Sequence, residues 1–270
     1  MNPDSLAPYN ALVTHAAPRA CVGLLAGVLA LSSAGCTQQS PETTAPNFFP
    51  LHADDTWVYD VVRPMRNERT RMTARVRGER YIPSLGRRCR LVDETYSASE
   101  EAFGALDAPS TGRPEVYPIA YCRLNGFLSR ALSLEYHGNE VRDVGLGSAE
   151  ERFLPDGFGN HLAWDSVTTA YDLGGGTGYG VQQTHWIVPE PAIVEVPAGR
   201  FVGCMRVETV ALHAGRHDGA YDGEPVVLYY SDWYAPNVGL IRTLQSNRPG
   251  GGPPMSQIEL VAYDVEGAPH

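Results

Sequence analysis

Arg71-Met72-Thr73-Ala74-Arg75-Val76-Arg77 is the stretch that decides the fold class. Apolar Met72, Ala74 and Val76 alternate with polar or cationic neighbours, a period of two that puts one set on each side of a strand. The result is one apolar face and one strongly cationic face. The same period spreads outward. Trp57, Tyr59 and Val61 alternate with Val58, Asp60 and Val62. Phe201, Met205 and Val207 follow Pro197-Ala198-Gly199, and Val226, Leu228 and Tyr230 run up to Trp233. Ile258, Leu260 and Ala262 make a last strand. Leu128, Leu132, Leu134 and Tyr136 share one face of a run that ends at His137-Gly138-Asn139, a hairpin turn into Val141 and Val144.

Turn-forming clusters separate these runs: Ser84-Leu85-Gly86, Pro155-Asp156-Gly157, Gly174-Gly175-Gly176 and Asp222-Gly223. With 28 Gly and 21 Pro scattered through 270 residues, long helices have little room. The fold class read from this pattern is all-β and mainly antiparallel, a curved sheet or half-barrel with short helices at most. One short helix is expected at Ser99–Leu106. Pro-rich loops are expected near Pro109–Pro114 and Arg248–Pro254.

The N-terminus has a different character. Behind Arg19, residues 21–34 read CVGLLAGVLALSSA, an uncharged run the size of a signal-peptide core and short of the roughly 20 residues of a spanning helix. It breaks into Ser32-Ser33-Ala34-Gly35-Cys36. Small residues before a cysteine resemble the lipobox of bacterial lipoproteins, although Ser33 stands where that box has Leu. The resemblance implies cleavage before Cys36 and a diacylglyceryl thioether with an acylated amine on it. Several acyl chains anchor firmly where one binds reversibly. Thr37, where enteric bacteria use Asp to retain lipoproteins in the inner membrane, points by analogy to the outer membrane. The organisation expected is a signal peptide over 1–35, a flexible polar tether over 36–47 and a single antiparallel β-domain over 48–270.

The formal charge of −10 disfavours nucleic acid and anionic headgroups as partners. Every basic residue is Arg, which base composition of the genome explains as well as selection does. Beyond Cys36 there are three cysteines. Export to an oxidising compartment makes Cys89–Cys122, both in strands of the first half, the candidate disulfide. Three buried thiols are the competing arrangement. No C-x-x-C occurs, so no zinc ribbon or thioredoxin-like site is indicated. His213 and His217 are four apart, but in a Gly-rich segment that spacing has no helical meaning, and a solvated hairpin loop accounts for them. Gly174–Gly180 leads into strand-like residues rather than a helix, so it reads as a loop and not a phosphate cradle. There is no G-x-S-x-G, no carboxylate pair stands in an apolar frame, and His185 beside Trp186 reads as a strand residue. No metal and no cofactor are expected.

Three further patches resemble a group of uncharacterised bacterial lipoproteins. They are Phe48-Phe49-Pro50-Leu51 followed by Trp57-Val58-Tyr59, Val196-Pro197-Ala198-Gly199-Arg200-Phe201, and Trp233-Tyr234-Ala235-Pro236-Asn237-Val238-Gly239-Leu240-Ile241. Arg200 and Asn237 stand where Thr and Gly are usual. The resemblance implies a curved antiparallel sheet of the half-barrel kind found in periplasmic lipoprotein carriers, and it carries over no functional residues.

The function expected is that of a non-enzymatic, lipid-anchored envelope protein with a binding or structural role. The alternatives are a periplasmic lipid or lipoprotein carrier and an envelope hydrolase. The partners implied are the membrane, through the anchor, and an apolar small molecule or an envelope protein. Trp57, Trp164, Trp186 and Trp233 are the ligand-binding candidates, weighed against a plain core role.

Overall fold

The computed structural model describes residues 46–98, 115–131, 134–137, 140–143, 151–156, 163–171, 178–213, 225–250 and 252–269. Cys36, the segment expected to be helical at Ser99–Leu106, the loop around His217 and Gly174–Gly176 lie outside them. The strands are β1 (Thr56–Arg63), β2 (Glu68–Ile82), β3 (Arg87–Ala98), β4 (Glu115–Leu124), β5 (Phe127–Ala131), β6 (Leu134–His137) and β7 (Glu140–Asp143). They continue as β8 (Glu151–Pro155), β9 (Ala163–Tyr171), β10 (Gly178–Val196), β11 (Gly199–His213), β12 (Val226–Ala235), β13 (Gly239–Ser246) and β14 (Ser256–Asp264). Single 3-10 turns at Pro64–Arg66 and Pro83–Leu85 are the helical elements among the described residues. The chain is all-β and antiparallel, as the alternation requires.

Twelve strands form one sheet in the order β8-β5-β4-β3-β2-β1-β14-β13-β12-β11-β10-β9. Chain connectivity forces this sheet to curve. β8 and β9 are its two edges, yet only residues 156–162 join them. Laid flat, twelve strands would separate those edges by roughly 53 Å at about 4.8 Å per step. A link of that length reaches about 28 Å when fully extended. The edges do meet: the Trp164 indole on β9 donates to the Arg152 carbonyl on β8 at 2.9 Å. Pairing of β1 with β14 joins the two halves of the chain, so the sheet is a nearly closed barrel with its seam at β8 and β9.

Two expectations are corrected. Leu128, Leu132, Leu134 and Tyr136 do not share one strand. β5 ends at Ala131, and β6 pairs with β7 in a separate two-stranded sheet that lies against β4 and the Pro83–Leu85 turn. Its pairing, His137 opposite Glu140, is the hairpin expected there. On β14, a register shift opposite Val58 and Tyr59 resets the alternation. Tyr263 rather than Ala262 comes opposite Trp57 and packs on the core, leaving Ala262 exposed.

The main core fills the concave side, built from residues such as Val61, Val76, Val207, Ile241 and Leu260. A second apolar cluster sits on the convex side of β2–β5 and contains Ile82, Cys89, Leu91, Ala120, Cys122 and Ala131. There Cys89 and Cys122, on neighbouring strands, are joined by a disulfide. Cys204 is a free, buried thiol.

The first and third of the patches quoted above, far apart in the chain, meet at one end of the barrel, and the second bonds to β14. Asn237 has φ 60°, the left-handed region that suits Gly and that Asn tolerates best among the rest. Its backbone N–H donates to the Asn47 carbonyl at 2.7 Å, and its side chain accepts from the Asn47 N–H at 3.1 Å. Asn in place of Gly thus adds a bond at no forbidden backbone geometry. Asn47, placed in the tether by its sequence, is bonded into the body. The Trp57 indole donates to the Val238 carbonyl at 2.6 Å. Gly239, at φ 104°, lets Pro50 and the Trp57 ring come within 3.6 Å of where a Cβ would stand. Ala198 donates its N–H to the Leu260 carbonyl.

Candidate functional site

The concave side is not completely filled. It encloses a cavity of about 300 Å³, at the lower end of the range of small-molecule pockets. Its walls are largely aromatic: Trp57 and Tyr59 from β1, Tyr96 from β3, Tyr121 from β4, and Tyr230 and Tyr234 from β12. Phe49 enters from the segment before β1. Its ring lies 5.0 Å from Tyr121, 5.1 Å from Phe153 and 6.3 Å from Tyr234, bridging strands on opposite sides of the barrel.

Strand alternation delivers the rings, and with them two carboxylates. On β12 the inward positions are Tyr230, Asp232 and Tyr234, while on the outward ones Ser231 donates to Glu208 and Trp233 lies under the Arg242 guanidinium. On β3 the inward positions are Val92, Glu94 and Tyr96. Among the described residues, Glu94 accepts one hydrogen bond, from the Tyr96 hydroxyl at 3.0 Å, and Asp232 accepts one, from the Thr243 hydroxyl at 2.6 Å. Burial raises the Glu94 pKa above the usual carboxylate range. It raises Asp232 to about 6, because loss of water outweighs the Thr243 bond and the attraction of Arg130. An apolar frame with two carboxylates is therefore present, contrary to the expectation from sequence.

Arg130 and Glu151 stand opposite each other on β5 and β8. The contact is bidentate, Nε to Oε2 at 2.6 Å and Nη2 to Oε1 at 3.1 Å. Burial works against the Arg130 cation, but Glu151 more than compensates, and its pKa lies above that of a free guanidinium. The guanidinium also stacks 4.6 Å from the Phe153 ring centre. Burial keeps the Tyr59, Tyr121 and Tyr234 phenols neutral well above their ordinary pKa. The Tyr59 hydroxyl donates to the Leu240 carbonyl at 3.0 Å.

A smaller cavity of about 130 Å³ shares Arg130, Phe153, Tyr230, Asp232 and Tyr234 with the first and extends toward β10 and β11. His185 lines it. The imidazole stacks on Trp164 at 5.0 Å, with Nδ1 2.8 Å from the Thr209 hydroxyl and Nε2 2.8 Å from the Ser166 hydroxyl. Burial lowers its pKa to about 4.

No protein-family model matches the chain, and no curated protein does. Two solved structures do, over 81% of this chain and 99% of each of theirs. One, provisionally described as a lipoprotein from Parabacteroides distasonis, is 16% identical with a TM-score of 0.50. The other, provisionally described as an exported protein with a YmcC-like fold from Bacteroides fragilis, is 15% identical with a TM-score of 0.49. What the chain shares with the Parabacteroides structure is the fold.

The four tryptophans do not converge on one site. Trp57 lines the main cavity, and Trp164 is buried against His185 and the β8 seam. Trp186 is exposed, while Trp233 is half-buried on the convex side. The residues that define the interior, Glu94, Arg130, Glu151 and Asp232, were not singled out in the sequence. A signal existed for two of them. Asp232 lies in Tyr230-Ser231-Asp232-Trp233-Tyr234, and Glu94 is two before Tyr96, so each shares the face of an aromatic neighbour. Among the described residues no group of three or more His, Cys, Asp or Glu side chains is placed to hold a metal.

Proposed function

We propose that this protein is exported, lipidated at Cys36 and held at the outer membrane, where its barrel interior binds a small ligand without transforming it. One observation carries the binding role: a cavity of about 300 Å³, walled by aromatic rings and furnished with buried polar groups, in the place a β-barrel fills when its interior serves packing alone. The volume and the charged groups argue against a carrier of whole lipids, whose acyl chains call for a larger and wholly apolar space. The surroundings of His185 argue against a hydrolase. Ser166 sits within reach, but Thr209 occupies the position where an orienting carboxylate would stand, and burial makes the imidazole a weak base.

The full chain, extracted in detergent from its native membrane and examined by native mass spectrometry, should carry a small molecule that denaturation releases. Protein that is repeatedly ligand-free and shows no thermal shift with a library of small metabolites would leave a structural role instead. Anchoring is tested separately: Cys36→Ala should abolish incorporation of labelled palmitate, and labelling that persists would refute the anchor.

A further inference from the structure

The charges around the main cavity are unequal. Arg130 is its one cationic wall residue among the described residues, and the Nε–Nη2 edge of its guanidinium is engaged by Glu151. The two remaining carboxylates, Glu94 and Asp232, have no ion-pair partner among the described residues. Each spends one oxygen on a neutral hydroxyl, from Tyr96 and Thr243 respectively. They face the same space from β3 and β12, on opposite sides of the barrel. Burying a carboxylate without a countercharge is costly, and proteins retain such groups where a bound partner completes them. The rest of the wall is the complementary half of such a site. Tyr96, Tyr121, Tyr230, Tyr234, Trp57 and Phe49 present π-systems, whose negative faces attract cations and do so most strongly away from water.

We propose that the main cavity is a binding site for a compact organic ammonium ion, whose charge meets Glu94 and Asp232 and whose carbon substituents contact the aromatic walls. The inference rests on the proposed binding role and specifies the chemistry of its ligand. An anion is disfavoured at this position by the same two carboxylates, with Arg130 paired to Glu151. A purely apolar ligand would leave both without a countercharge. Arg130 and Glu151 act as positioning residues: their bidentate contact fixes the wall between the two cavities.

Calorimetric titration of the full chain in detergent tests this with matched pairs of probes. Choline is compared with its carbon isostere 3,3-dimethylbutan-1-ol, butylammonium with butan-1-ol, and phenethylammonium with 2-phenylethanol. At least one ammonium probe is expected to bind roughly tenfold or more tightly than its neutral partner. Asp232→Asn, Glu94→Gln and the double variant should each reduce that preference severalfold, with a cooperative melt showing that the variants are folded. Neutral probes that bind as well as the ammonium ions would overturn the inference and leave the binding role standing. If no probe of either kind binds to protein that melts cooperatively, both readings fail. A preference for ammonium that survives the double variant would mean that the carboxylates are not its source, which also overturns the proposal.

Discussion

Asp93 and Glu94 are neighbours on one strand and live in different worlds. Asp93 points to the convex side, where it is held by Arg77 at 2.7 Å. Glu94 points into the barrel, where its hydrogen-bond partner among the described residues is a phenol. The contrast extends over the molecule. The convex side of β2 is the cationic face read from Arg71, Arg75 and Arg77, and adjacent strands answer it with acids. Asp60 of β1 receives both Arg69 and Arg71, and Asp54 receives Arg75. For Asp60, burial pushes the pKa up, but the two guanidinium groups overcome it and hold it below the ordinary value. Among the described residues, the cavities of the concave side are lined by three carboxylates, Glu94, Glu151 and Asp232, and one arginine. On the convex side Asp54, Asp60 and Asp93 are each paired with arginine, whereas among the described residues Glu94 and Asp232 on the concave side have no ion-pair partner.

The sharpest way to break this comparison is to remove the one cation of the interior. Arg130→Met strands Glu151, which is almost wholly buried. The fold should lose about 3–5 kcal/mol, the cost of leaving a buried charge without its partner. A lower denaturant midpoint at unchanged slope is the expected readout. A loss under about 1 kcal/mol would mean that the interior already tolerates a lone carboxylate, and the contrast between the faces would lose its meaning.

Asp232→Asn should act in the opposite direction. The folded pKa is about 6 against an ordinary 3.8. Between those values the folded state holds a proton that the unfolded chain has released, so this group makes stability fall as pH rises from about 4 through 6. Above that window the penalty is fully present. The amide removes it, so ligand-free variant should be more stable than the parent at pH 7 by about 2 kcal/mol, with the two converging near pH 4. Parallel stability curves across this window would show that the carboxylate is hydrated rather than desolvated.

The smallest effect is expected on the convex rim. Arg75 and Asp54 pair at 2.7 Å, but both are more than half exposed. Arg75→Ala should change stability by no more than about 0.5 kcal/mol, less still in high salt. A larger loss in a thermal melt would mean that the convex ion pairs act as a network and not as independent surface contacts.

Much of the architecture was open to inspection in the chain. Alternation at Trp57-Tyr59-Val61 and at Met72-Ala74-Val76 placed these residues on the core side, because side-chain direction in a strand is a local property of two successive residues. The hairpin at Pro197-Ala198-Gly199 and the turn at Pro236-Asn237 were visible for the same reason. The turn between β4 and β5, an Asn125-Gly126 pair in which both residues have positive φ, was not among the turns expected from the sequence. Alternation failed where it depends on something distant. On β14 the bulge opposite Val58 and Tyr59 moved Ala262 out and Tyr263 in. After Ala131 the chain left the main sheet, so Leu134 and Tyr136 no longer continued the face of Leu128.

Local sequence was enough for the class of fold, the inward and outward sides of most strands and the positions of several turns, because each is set by steric and solvation preferences over a few neighbouring residues. Only the tertiary structure decided that the sheet closes on itself, that Phe49 bridges β4, β8 and β12, and that Arg130 goes to Glu151 while Asp232 receives a hydroxyl. Those outcomes depend on the register of segments up to about 190 residues apart, as in the bond between Asn47 and Asn237. Register is settled by the summed packing of the whole barrel, which no local stretch contains.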